Sequence, residues 1–113
     1  MSHFPADELL QRLEAHDGDH IEIFETESMT VEMGRHEAGT AAPKNPHNED
    51  ELYYIVSGTG KVRVGDDVHA VESGDLVHVE PGVEHDFFDI EEEIQVLIVF
   101  AGSENPASYS VRE

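Results

Sequence analysis

Asn45-Pro-His47-Asn-Glu-Asp-Glu51, closed by Gly58, and Gly74-Asp-Leu-Val-His-Val-Glu80-Pro81-Gly82-Val-Glu-His85 are the two stretches that decide how this chain folds. Between and around them run short segments rich in Val, Ile, Tyr and Phe, punctuated by Gly, Asp, Pro and Ser, the pattern of an all-β sandwich or barrel. Side chains alternate faces along a strand, so Asn45, His47, Glu51, Tyr53 and Ile55 share one face if that segment is extended. Pro81-Gly82 supplies a tight turn that sends the chain back and presents His85, Phe87 and Asp89 on one face of the next strand. Two imidazoles and a carboxylate then converge from different strands. Such a set holds a divalent ion on one side and leaves its other positions open.

Outward from these stretches, the strands expected are His20 to Phe24, Met29 to Arg35, Leu52 to Ser57, Gly60 to Val64, Val68 to Glu72, Leu76 to Glu80, His85 to Ile90 and Ile94 to Phe100. The Gly58-Thr-Gly60 and Gly65-Asp-Asp67 breaks read as turns of an antiparallel meander. Ala6 to Ala15 reads as a short amphipathic helix with Leu9, Leu10 and Leu13 on one side. The expected organisation is a helical segment over 1–20, a single barrel over 21–102 and a polar tail over 103–113.

Both motifs resemble those of the cupin family. The first reads Gly39, five residues, Asn45-x-His47, three residues, Glu51, six residues, Gly58; the second reads Gly74, five residues, Glu80-x-Gly82, two residues, His85, three residues, Asp89. The resemblance implies a small antiparallel jelly-roll barrel with a divalent metal, Fe, Mn, Ni or Zn, held by His47, Glu51 and His85. The chain departs from the family pattern at Asn45, where the family has a histidine, and at Asp89, where it has an asparagine; its proline also stands one place later, at Pro81. An amide oxygen binds borderline ions more weakly than imidazole, so Asn45 is a weak ligand or a loop residue.

The walls of the site follow from alternation. Met29, Val31, Met33 and Arg35 share a face, and if that face is inward Met33 and Arg35 join Tyr53, Ile55 and Phe87 around the metal. Arg35 would then select a carboxylate or enolate; its other reading is an edge arginine paired to a surface acid. His36 and His69 read as solvated.

Composition limits the partners. In 113 residues there are 26 acidic and 6 basic side chains, a formal charge of −20, and no cysteine. Thiolate metal sites and disulfides are excluded. Nucleic acids and anionic membranes, which are recognised by clustered Lys and Arg, are not expected partners. The acidity resembles that of halophile proteins, in which salt screens self-repulsion. No apolar run approaches the ~20 residues that span a bilayer, and a cytoplasmic protein is expected.

Strands that are apolar on both faces, such as Ile94 to Phe100 and Leu52 to Val56, call for a cover on the second face. A homodimer is the expected solution, with the helix as a further cover. Two functions fit these features: a metal-dependent enzyme of oxygenase or isomerase type acting on a small organic molecule, and a non-catalytic module that binds or senses one with weak or no metal.

Overall fold

The computed structural model describes residues 3–16, 19–40, 42–44 and 48–101. A helix, α1 (Ala6–Ala15), precedes seven strands: β1 (His20–Glu25), β2 (Met29–His36), β3 (Ala42–Lys44), β4 (Glu51–Val64), β5 (Asp67–Glu72), β6 (Leu76–Val79) and β7 (His85–Ala101). All pairings are antiparallel, in the order β1-β2-β7-β4-β5, with β3 added to β7 and β6 to β4. The chain is therefore an all-β jelly-roll barrel carrying one short N-terminal helix. No helix among the described residues is long and apolar enough to cross a membrane.

Two long strands give the barrel its curl. The first part of β4 (Glu51 to Ile55) pairs with the second part of β7 (Val96 to Phe100), and the second part of β4 (Lys61 to Val64) pairs with the first part of β7 (His85 to Phe88). Register slips between Ile55 and Lys61 bend the pair where these parts meet. The Gly58-Thr-Gly60 segment is thus not the hairpin turn expected of it. Gly58 has φ +98°, and a Cβ there would lie 2.1 Å from the Glu93 carbonyl oxygen, so β7 crosses directly over it. Glycine serves tight turns and bulges for the same reason, its access to positive φ, and here it makes the bulge. The meander is confined to Gly65-Asp66, which closes the β4–β5 hairpin. The two expected strands at 85–90 and 94–100 are likewise one continuous strand, and the short β3 has no counterpart among the expected strands.

The inner face of the curled sheet is apolar and buried: Tyr53, Ile55, Val62, Val71, Val79, Phe87, Ile90, Ile94, Val96, Ile98 and Phe100 form one cluster. The outer face of β1 and β2 is covered by α1, whose Leu9 and Leu13 bury against Met33, with Ile21, Ile23 and Val56 beside them. Those leucines sit four residues apart, one helical turn, which is why a ten-residue helix can present both to the sheet.

That packing settles which face of β2 is inward, and it overturns the expected wall. Met33 lies under α1, away from the cluster of Tyr53, Ile55 and Phe87. Arg35, on the same face as Met33, donates from Nη2 to the His16 carbonyl at 3.0 Å, while its backbone N–H donates to the Asp19 carbonyl. It ties the segment after α1 to the sheet and does not enter the barrel. Alternation then turns Thr30, Glu32, Gly34 and His36 inward, as their pairing with Phe100, Ile98, Val96 and Ile94 of the inner cluster requires.

Candidate metal centre

His85 is positioned by a turn. Glu80 to Val83 closes with the Val83 N–H donating to the Glu80 carbonyl at 3.2 Å, with Pro81 in the second position and Gly82 at φ +82° in the third. Proline presets the negative φ and glycine supplies the positive one, the requirements of a type II turn. The chain leaves this turn into β7, where His85 pairs with Val64 on one side and Lys44 on the other. Next to it Asp86, itself buried and directed to the opposite face, accepts from Arg63 at 2.9 and 3.0 Å, which holds the register at the start of β7.

Glu51 comes from the facing part of the barrel, where it opens β4 between Phe100 and Val79. Both side chains are buried, at 1% and 3% exposure, and His85 Nε2 lies 3.1 Å from Glu51 Oε1. The other ring nitrogen decides the chemistry of this contact. His85 Nδ1 is 3.1 Å from the Val83 carbonyl oxygen. A carbonyl only accepts, so Nδ1 carries a proton, and Nε2 is left facing the carboxylate. A lone pair and a carboxylate repel at this distance unless a positive charge lies with them, as a proton or a metal ion. A ring N–H donated to a backbone carbonyl is also the usual support of a metal-bound histidine, because it fixes tautomer and orientation. The pair therefore fits a divalent cation on its donor chemistry.

Aromatic rings continue the site inward. Tyr53 lies two residues from Glu51 on the same face, its ring 6.0 Å from that of His85 and edge-on to Phe87 at 5.0 Å. Phe87 in turn stacks on His36 at 4.7 Å. Of the expected site, the structure brings together Glu51, His85, Tyr53, Ile55 and Phe87. It separates Met33 and Arg35 from them, and His47 and Asn45 lie outside the described residues. Among the described residues, no group of three His, Asp or Glu side chains is placed to hold a metal.

Three residues stand elsewhere than expected. Asp89 has φ +47°, which breaks the alternation after Phe87; its side chain is exposed, 3.5 Å from Lys61 Nζ, and Ile90 takes the inward place. Asp tolerates the left-handed region almost as Asn does, so the exchange of one for the other suits the same backbone. His36 is half-buried against Phe87 rather than solvated. Glu32 is a buried carboxylate that alternation alone places on the solvent side. The apolar face of β2, Met29, Val31 and Met33, is the opposite one, and only the docking of α1 on Met33 discloses that Glu32 is inward.

Comparison with known proteins agrees with this architecture. A family model described as cupin domain matches residues 30–101. An uncharacterized protein of Streptomyces coelicolor is 36% identical over 105 residues, covering 93% of this chain and 100% of that protein. Among solved structures, KdgF from Halomonas sp. superposes with a TM-score of 0.70 at 16% identity, over 78% of this chain and 81% of that one. A variant oxalate decarboxylase of Bacillus subtilis superposes with a TM-score of 0.72 at 22% identity, over 80% of this chain and 27% of that one. These two likenesses are of fold.

Proposed function

The chain belongs to the cupin domain family, and on that premise we propose that it binds one divalent metal ion in its barrel through His47, Glu51 and His85 and holds a small oxygenated organic molecule there. The observation that carries this reading is the buried His85–Glu51 contact at 3.1 Å with the Nδ1 proton committed to the Val83 carbonyl. When bound, a divalent ion polarises a carbonyl or enolate oxygen of the ligand. Beside Glu51 and His85, the buried Tyr53, Phe87 and Ile55 of the inner cluster present apolar surface that excludes water. Such a setting suits a metal-dependent enzyme of oxygenase or isomerase type.

Asn45 favours a second reading. With one imidazole of the family motif replaced by an amide, affinity for iron, nickel and zinc falls, and a barrel that binds its organic ligand without turnover fits as well.

Elemental analysis of untagged protein prepared without chelators, beside the His85→Ala and His47→Ala variants, tests the metal reading. Near-stoichiometric iron, manganese, nickel or zinc, lost in both variants, is the expected result and identifies the ion. Folded protein that stays empty after incubation with these ions overturns it in favour of the metal-free module.

A further inference from the structure

His85 stands at the least secure place in its strand. It is the first residue of β7, and it faces Val64, the last residue of β4 before the hairpin at Gly65-Asp66. Strand ends are where local opening concentrates. On its other side this part of β7 is met by β3, three residues long with Pro43 opposite Asp86, and proline brings no N–H to a ladder. The Gly65 N–H donates to the Glu84 carbonyl at 2.8 Å, but backbone pairing around His85 is otherwise short on both sides.

A side-chain contact closes on the same spot from outside the barrel. Asp86 follows His85 and, by alternation, points the other way. Its carboxylate is 8% exposed, and Oδ1 accepts from Arg63 Nε at 3.0 Å and from Nη2 at 2.9 Å. Arg63 is also the residue paired with Asp86 across the two strands, so its guanidinium spans the ladder one step from His85. The partners are unequal, because the guanidinium is 52% exposed and the carboxylate is buried. An exposed pair contributes little, whereas a buried carboxylate that loses its partner is left desolvated and uncompensated. Asp86 would then regain solvent only by a shift of β7. His85 and Asp86 share a peptide bond, so that shift also draws the imidazole away from the Val83 carbonyl and from Glu51.

We propose that Arg63 is a positioning residue for the metal site: acting through Asp86, it fixes the backbone from which His85 presents Nε2 beside Glu51. The proposal rests on the metal reading of the preceding section. Electrostatics and positioning act in opposite directions here. Removing a cation from a chain of formal charge −20 makes the protein more negative and, by its field alone, strengthens its hold on a dication. Lost positioning weakens that hold.

The test is a zinc titration of wild type, Arg63→Gln and Arg63→Lys against a chromogenic chelator, at a temperature where circular dichroism shows each fully folded, with long-range ¹H–¹⁵N spectra of His85 in the metal-free proteins. Under that condition a loss of stability alone leaves the competent fraction, and so the apparent affinity, unchanged. Arg63→Gln is expected to bind zinc about tenfold more weakly, and its His85 Nδ1 signal is expected to move from that of a protonated nitrogen toward the average of two exchanging tautomers. Arg63→Lys keeps the charge and gives up one of the two contacts, so a smaller loss of about threefold is expected. Zinc binding as tight as wild type or tighter in Arg63→Gln, or an unchanged Nδ1 signal, overturns the proposal. If Arg63→Gln does not fold, Arg63→Lys decides alone, and unchanged affinity there overturns it. Wild-type protein that takes up no zinc refutes the metal reading instead, and the Nδ1 signal of the metal-free variants still tests Arg63.

Discussion

Glu51 opens β4 and His85 opens β7, and their side chains meet at 3.1 Å inside the barrel although neither strand start is paired with the other. Curling of the sheet brings them together. Because the Val83 carbonyl holds the Nδ1 proton, long-range ¹H–¹⁵N spectra should show His85 as the Nδ1–H tautomer in zinc-loaded protein, with the Nε2 signal moved by the metal. Glu51→Gln should weaken zinc binding at least tenfold, because it removes the charge that neutralises the ion, and should leave the fold intact. A protonated Nε2 in zinc-loaded protein would place the ion elsewhere.

At Gly58, positive φ and the Glu93 carbonyl at 2.1 Å from a prospective Cβ act together. Gly58→Ala combines left-handed strain with overpacking against backbone that cannot yield, so a loss of about 2–4 kcal/mol is expected. Chemical denaturation of the variant against wild type measures it. A loss below about 1 kcal/mol would show that β4 and β7 separate at the bulge without penalty.

Salt should stabilise the protein. With a formal charge of −20, like charges repel across the whole surface, and raising NaCl from about 0.1 M to about 1 M shortens the Debye length from roughly 10 Å to roughly 3 Å. A gain of about 1 kcal/mol, read as a rise of about 4–8 °C in Tm, is expected. An indifferent Tm would remove the likeness to halophile proteins and leave an ordinary acidic surface.

The outer face of the sheet beyond α1 keeps an apolar stripe. Leu52, Tyr54 and Leu76 are exposed there, flanked by half-buried Leu97 and Val99 on the paired strand. Two chains joined back to back over this stripe would cover it, the second cover that apolar alternation on both faces calls for. Sedimentation equilibrium in molar salt should give twice the chain mass of 12.6 kDa, and Tyr54→Glu with Leu76→Glu should halve it with unchanged circular dichroism. A wild-type monomer would refute the homodimer.

Much of this architecture is legible in residue spacing. The helix over 6–15 follows from apolar recurrence, and the inward set Glu51, Tyr53 and Ile55 from strict alternation in a segment anchored by its motif. Alternation names the residues that share a face without saying which face is buried. On β2 the apolar face, Met29, Val31 and Met33, is the outer one, covered at Met33 by α1, and the polar face, Thr30, Glu32, Gly34 and His36, is inward, so spacing alone puts Met33 and Arg35 on the wrong side and Glu32 in solvent. The information that decides between them is tertiary, the docking of Leu9 and Leu13 on Met33. Parity also fails wherever a residue leaves extended conformation, as Asp89 does, and glycine does not distinguish a bulge from a turn. For the site, the motif spacing locates Glu51 and His85, whereas the tautomer of His85 depends on a turn carbonyl that no pattern reveals.

β7 runs from His85 to Ala101 and pairs along its length with β2, β3 and β4. The strand that begins with the candidate metal ligand is thus the spine of the whole barrel, and that ligand has no hinge of its own. Glu51 and His85 are therefore brought together by the pairing of the central strands. An ion bound between β4 and β7 then clamps the entire domain, and its affinity is read directly as global stability in proportion to the logarithm of its concentration. Destabilising substitutions far from His85 correspondingly lower the fraction of competent molecules without retuning those that remain.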